Sequence, residues 1–234
     1  MYGIEFNGKH SLKNFSVPLA PGKIIGMPSK KKILINVPFA NEKYDFSEIY
    51  GSQTYSEREL VYPLSIVSTS KDRMNFKKTE IINWLMNSNG KQKLYDDTIP
   101  GYYFLAEVET DPSFSENRSD GILTVTFQAY PFMIAHRPEG HDIWDEINFD
   151  LDVLQPVNFM VNGLLEVTLL NVGTNDLKPK ITSSSSMQVE LRQKVFNVRA
   201  GESQSRDFIL KSGENDLKIT GNGSISFEFY KELI

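Results

Sequence analysis

From Gly121 to His136 the chain reads GILTVTFQAYPFMIAH, and its first half alternates without a break. Ile122, Thr124, Thr126 and Gln128 fall on one side; Leu123, Val125, Phe127 and Ala129 fall on the other. A period of two puts the apolar set on one side of a sheet, and β-branched and aromatic residues suit a pleated surface. Pro131 ends the ladder because it has no N–H to donate. From His136 to Pro156 the composition turns polar and acidic. The stretch is therefore read as the last strand of one domain and the hinge into a second.

The rest of the chain fits two domains. Its 234 residues are too many for one small domain and few for two large ones. Hydrophobic residues make up 40% and charged residues 24%, enough for a core and against general disorder. Cysteine is absent, which removes disulfides, thiolate zinc sites and cysteine nucleophiles together and fits assembly in a reducing cytosol. A net charge of −5 argues against general nucleic-acid binding, which rests on clustered Lys and Arg. MYGIEFNGKH has no basic-then-apolar signal pattern, and no run approaches the ~18 apolar residues of a membrane helix. A soluble protein without membrane insertion is expected.

Taken in order, Tyr2 to Phe6 reads as a short strand closed by the Asn7-Gly8 turn, with Leu12 to Leu19 as a pairing partner. PGKIIGMPSKKK reads as loop, Lys32 to Val37 as a strand, and Asn41 to Ser56 as polar turns around Gly51. Arg58 to Ser68 is a strand in which Pro63 points to an edge position or a bulge. In KDRMNFKKTEIINWLMNSNG, Phe76, Ile81, Trp84, Leu85 and Met74 recur at helical spacing. Asp72 or Asn75 is the expected N-cap and Asn89-Gly90 the stop. Trp84 is either a ligand-stacking ring or, the preferred reading, the side chain that packs this helix on the sheet. KQKLYDD and GYYFLAEVE form a hairpin around Thr98 to Gly101. The first domain is thus α+β on an antiparallel sheet. From Val157 onward, LLEVTLLN, MQVELR, KVFNVRA, RDFILKS, NDLKIT and SISFEFY are short strands separated by turns, the pattern of a sandwich. Ser183 to Ser186 reads as a low-complexity turn.

No catalytic constellation emerges. The three histidines, His10, His136 and His141, sit near no Gly-x-Ser-x-Gly turn. His136 and His141 lie among Glu139, Asp142 and Glu146, but the spacing matches no recognised metal site and the segment reads as linker. Glu107 and Glu109 share a strand face, as a glycosidase pair would, though a solvated face is the plainer reading. Gly221-Asn222-Gly223 reads as a hairpin turn rather than a phosphate cradle. Ser29-Lys30-Lys31-Lys32 is the one dense basic run, and its plain reading is a solvated loop. Asn117-Arg118-Ser119 and Asn222-Gly223-Ser224 match the glycosylation pattern, which carries nothing without a signal peptide. A carbohydrate-binding module for host surface glycans is the alternative function. Yet after Trp144 there is no tryptophan or histidine, and Tyr230 is the only tyrosine. No catalytic, cofactor-binding or metal-binding residue is assigned.

One ordered series goes further. GIEFNGKHSLKNFSV, the Gly51 turn, YSERELVYPLSI, the helix ending in EIINWL, the KLYDD hairpin, YYFLAEV and GILTVTFQAYPF follow one another over roughly the first 135 residues. In order and spacing this resembles the distal tail protein (Dit) family of long-tailed phages, a siphovirus tail component found especially in phages of Gram-positive hosts. The resemblance implies a mainly β protein. Residues 1–135 would be a ring-forming domain, an antiparallel β-sandwich or split barrel with one helix and a β-hairpin. Residues 136–156 would be a linker, and 157–234 a galectin-like β-sandwich, which the second half matches only in its all-β character. It further implies a structural virion protein with no enzymatic activity and no cofactor, assembled in the host cytoplasm. Such a protein forms a homo-hexamer at the tail tip, between the tail tube protein and the tail-associated hub protein. It carries receptor-binding or baseplate proteins at its side and lets DNA pass through a lumen without specific binding. The hairpin from Lys91–Asp97 to Gly101–Glu109 is the expected inter-subunit arm, because an exposed sheet edge is a template for pairing.

Overall fold

A computed structural model of the chain describes residues 1–39, 41–49, 51–117, 120–141, 151 and 153–234. By internal contacts it divides into two units, residues 1–133 with Ile234, and residues 134–233. Both are built on antiparallel sheet, and the mainly β class expected from the strand pattern holds.

In the first unit, β1 (Ile4–Phe6) and β2 (Lys9–His10) make the hairpin expected at Asn7-Gly8. Asn7 and Gly8 have φ of 45° and 71°, the left-handed pair a two-residue turn requires. Leu12 to Leu19 does not continue this pairing. Ser11–Phe15 is a short helix, α1, because the His10 ring caps it: Nδ1 accepts from the N–H of Leu12 and of Lys13. β3 (Ile24–Ile25) lies within the stretch read as loop. β4 (Leu34–Asn36) and β5 (Lys43–Asp45) pair only with each other. Then follow β6 (Arg58–Val67), α2 (Lys71–Met86), β7 (Gln92–Asp96), β8 (Tyr102–Val108), β9 (Ser113–Glu116) and β10 (Asp120–Ala129). The sheet order is β2-β1-β7-β8-β10-β6-β3, with β9 beside β10.

β10 bears out the alternation it was read from: Leu123, Val125, Phe127 and Ala129 are all buried. β6 runs along its whole length, from Asp120 opposite Val67 to Ala129 opposite Arg58. Pro63 fits on β6 because its other side meets only β3 and the segment 18–20, where Ala20 N–H donates to the Pro63 carbonyl. α2 buries Met74, Ile81, Trp84 and Leu85. Phe76, assigned to that stripe from spacing, is 76% exposed. Two residues from Met74 is a rotation of about 200°, so Phe76 points away from the sheet. The N-cap is Ser70, whose Oγ accepts from Arg73 N–H, rather than Asp72 or Asn75. The helix ends at Asn87, two residues before the expected stop. Trp84 packs as preferred: it stacks on Phe15 at 4.8 Å, and Nε1 donates to the Phe6 carbonyl at 2.8 Å.

β11 (Met133–Ala135) spans the division between the units. The second unit continues with β12 (Asn158–Asn171), β13 (Lys180–Ser183), β14 (Met187–Leu191), β15 (Lys194–Val198), β16 (Gly201–Ser203), β17 (Gly213–Glu228) and β18 (Glu232–Leu233). NDLKIT and SISFEFY are not separate strands. They are the two halves of β17, which pairs with β12 over its whole length, from Asn158 opposite Ser226 to Asn171 opposite Gly213. On its other side β17 carries β14 at residues 217–220 and β13 at 225–228. Gly221-Asn222-Gly223 is therefore a bend inside a strand, not a hairpin turn; Gly221 and Gly223 have φ of 150° and 129°. The four-serine run fastens the bend. Ser224 N–H donates to Ser184 Oγ at 2.8 Å, and Ser185 Oγ donates to the Asn222 carbonyl. RDFILKS forms only an isolated bridge, Leu210 with Leu177, while Phe208 and Leu210 fill the core.

Candidate assembly interface

The hairpin expected to be an arm is interior. β7 pairs with β1 on its outer side and β8 with β10, so both strands have neighbours on both edges. Leu94, Asp96, Phe104 and Ala106 are buried. The turn of this hairpin is also tied down. Asp96 accepts from Lys23 Nζ at 2.8 Å, Tyr62 OH at 3.1 Å, and Thr98 N–H and Oγ1 at 2.9 and 2.7 Å. Burial, with the adjacent Asp96 carboxylate, pushes the Tyr62 phenol well above its ordinary range. Asp97 accepts from Gly3 N–H at 2.7 Å and contacts His10 Nε2 at 3.1 Å. Since Nδ1 of His10 accepts two backbone N–H groups, Nε2 carries the proton and donates. Burial alone would raise the Asp97 carboxyl; the bonds from His10 and Gly3 outweigh it and hold it below its usual value.

The exposed element lies elsewhere, between Ser29 and Ser56. The Ser56 N–H bond to the Ser29 carbonyl, the Lys31 N–H bond to the Thr54 carbonyl and the Lys30–Tyr55 bridge close its base. Beyond them β4 and β5 continue as a ribbon. Leu34 lies opposite Asp45, Ile35 opposite Tyr44 and Asn36 opposite Lys43. This register sorts the side chains. Ile33, Ile35, Val37, Tyr44 and Phe46 share one face, while Lys32, Leu34, Asn36, Lys43 and Asp45 share the other. The second face is held by Lys32 Nζ to Asp45 Oδ2 at 2.8 Å. That bond and those from Ser47 bring the Asp45 carboxyl far below its ordinary range. The first face has no cover among the described residues: Ile33, Ile35 and Tyr44 are each at least half exposed. At the tip Phe39 is fully exposed with φ of 66°, a conformation costly for a bulky residue. A two-stranded ribbon alone is marginal in water, and this one leaves its apolar face in solvent. Sequence reasoning found its first strand but took Asn41–Ser56 for turns, so the alternation of Tyr44 and Phe46 against Ile33 and Ile35 went unused.

The other sites considered from sequence do not converge. Glu107 is bound by Lys91 at 3.1 Å, and Lys91 also holds Glu57 at 2.9 Å; Glu109 lies beyond the end of β8. The Lys30–Lys32 run is the base of the ribbon. Glu139 faces Lys231 in the second unit, while Asp142, Trp144, Asp145 and Glu146 lie outside the described residues, as do Arg118 and Ser119 of the Asn117 pattern. Among the described residues no cluster of three or more histidines and carboxylates is arranged to hold a metal. In the second unit a groove of about 490 Å³ crosses β12, β17 and β13, lined by Asn158, Met160, Thr182, Ser184, Ser224 and Ser226 among others.

No protein-family model matches the chain, and no curated protein matches it. Solved structures do. The likeness is one of fold, and it runs over both units of the chain. In particular, the chain is similar to the SPP1 Dit (gp 19.1) protein, described as a paradigm of the hub adsorption apparatus of phages infecting Gram-positive bacteria. That likeness has a TM-score of 0.67 at 12% identity and covers 100% of both chains. A chain of the phage p2 baseplate in its activated conformation matches at a TM-score of 0.44 and 7% identity, over 99% of this chain and 97% of that one. The resemblance read from the ordered series in the first domain thus holds at the level of the fold, across the full length.

Proposed function

We propose that the protein is a Dit-type structural component of a phage tail tip. In this reading residues 1–135 form a hexameric ring between the tail tube protein and the tail-associated hub protein. Residues 136–156 link that ring to residues 157–234, a galectin-like sandwich projecting outward, beside which receptor-binding or baseplate proteins attach. DNA passes through the lumen without being held, in keeping with a net charge of −5. The protein acts in the virion after assembly in the host cytoplasm, and it is not an enzyme.

The observation that carries this reading is the ribbon of β4 and β5. An apolar face of Ile33, Ile35, Val37, Tyr44 and Phe46 on a two-stranded element needs a second surface to cover it. In a ring, each subunit offers one such element and receives one, a head-to-tail contact that closes. The ribbon takes the role first given to the β7–β8 hairpin. The whole-length likeness to SPP1 Dit supports the same reading. Glycan binding is less well supported. The groove on β12, β17 and β13 is rich in hydroxyls, but none of its lining residues is an exposed aromatic on which a sugar could stack. Negative-stain electron microscopy of the concentrated protein tests the proposal: rings with a central hole and six-fold averages are expected, and a field of separate small particles would count against it.

A further inference from the structure

We infer that the free edge of β12 is a docking site for an extended strand from another protein, one that alternates apolar residues with lysine or arginine. β12 pairs with β17 on one side, and among the described residues no strand lies along its other side. The direction of its backbone groups follows from the register. Phe227 N–H donates to the Val157 carbonyl at 2.9 Å, so the odd-numbered residues turn their peptide groups toward β17. The even-numbered residues turn theirs outward. Leu170 shows what that edge accepts. Its N–H donates to Gln155 Oε1 at 2.8 Å, and Gln155 Nε2 donates to its carbonyl at 2.7 Å. One side-chain amide thus imitates one residue of a neighbouring strand, at one end only. Leu164, Glu166 and Thr168 present the same pair of groups with no such partner among the described residues.

Edges that must stay unpaired usually carry proline, lysine or several charges. From Asn158 to Asn171 there is no proline and no lysine, and Glu166 is the only charged residue. Toward the core, Phe159, Leu165 and Val167 are only partly buried, so an added strand with apolar residues on that side would complete their cover. On the opposite face Lys218 lies between Glu166 and Glu190 across three strands, with Asp216 beside them. Three carboxylates there, Glu166, Glu190 and Asp216, stand against two cations, Lys218 and Arg192, and Glu166 is the one charge on β12 itself, which favours a basic residue opposite it on the incoming strand. Backbone pairing would supply the affinity and this alternation the selectivity.

The test uses the full chain and a capped eight-residue peptide alternating valine with lysine. Hydrogen exchange is followed with and without the peptide. Binding is expected to slow exchange at the amides of Leu164, Glu166 and Thr168 by about tenfold or more. It should leave Val167, already bonded to β17, unchanged. Glu166→Pro removes one outward N–H without touching the inward ladder and is expected to abolish binding. Glu166→Gln, which keeps the size of the side chain and removes only its charge, is expected to weaken binding about threefold. Unchanged exchange at saturating peptide, or equal binding by both variants, would overturn the inference. Concentration-dependent protection of the same amides without peptide would assign the edge to a second copy of this chain and overturn it equally.

Discussion

Glu139 and Lys231 are both buried in the second unit, with 4.0 Å between Oε1 and Nζ, and Lys231 Nζ also donates to the Leu151 carbonyl at 3.2 Å. Burial raises the Glu139 carboxyl above its ordinary 4.5, against the pull of Lys231 and the bond from Gln155. Burial lowers the Lys231 amine below its ordinary 10.5, against Glu139. The signs follow. The folded state binds a proton at Glu139 more readily than the unfolded chain, so that contribution is full below about pH 4.5 and is lost as pH rises through the raised value. At Lys231 the unfolded chain holds the proton more tightly, so stability gains as pH rises toward 10.5. The unfolding free energy of wild type minus that of Glu139→Gln should therefore decrease between pH 4 and 7 in denaturant titrations. At neutral pH, Glu139→Leu removes the carboxylate facing the buried Lys231 and should cost about 3 kcal/mol, and Lys231→Met added to it should restore most of that loss. Neither residue was marked in the sequence beyond Glu139's place near two histidines, because burial of a charge depends on what folds over it. His10 was equally illegible. Its sequence context points to no role, and its ring caps α1 and reaches Asp97, 87 positions away in the chain.

Elements with a strict period were read well, and elements joined by bends were not. β10, β6, β8 and α2 each announce themselves through alternation or helical spacing, since one face of each is buried. β17 was broken in two because glycines at 221 and 223 look like turn residues, and a bend within a strand uses the same conformations as a turn. Only the position of β12 opposite them shows that pairing continues. The serine run was read as a featureless turn for a similar reason. Its partners lie 37 to 40 residues away, at Asn222 and Ser224. Gly223 is the test of this corner. A Cβ there would stand 2.3 Å from Ser184 Oγ, and φ of 129° is strained for any other residue. Gly223→Ala should lower stability by about 2 kcal/mol or more in a thermal or denaturant melt, while Gly90→Ala, which meets open space at φ of 71°, should cost less.

At the scale of the molecule, the missing part of the sequence reading was which hairpin is free. Both candidates alternate and both end in a turn. β7 and β8 become interior because β1 and β10 lie along their outer edges, and no local signal says so. β4 and β5 stay outside the sheet, and their apolar face lies in solvent among the described residues. In the proposed ring another copy covers that face. Light scattering on the full chain, compared with the Ile35→Asp, Tyr44→Asp double variant, measures this directly. The ribbon contributes nothing to the core of the first unit, so the variant should still unfold cooperatively, with a melting temperature lowered only by what assembly adds to the wild type. The prediction is a wild-type mass of about 160 kDa, six copies of a 26.7 kDa chain, falling to a single copy in the variant. A wild type that remains a single copy at high concentration, or a variant that still assembles, would contradict it.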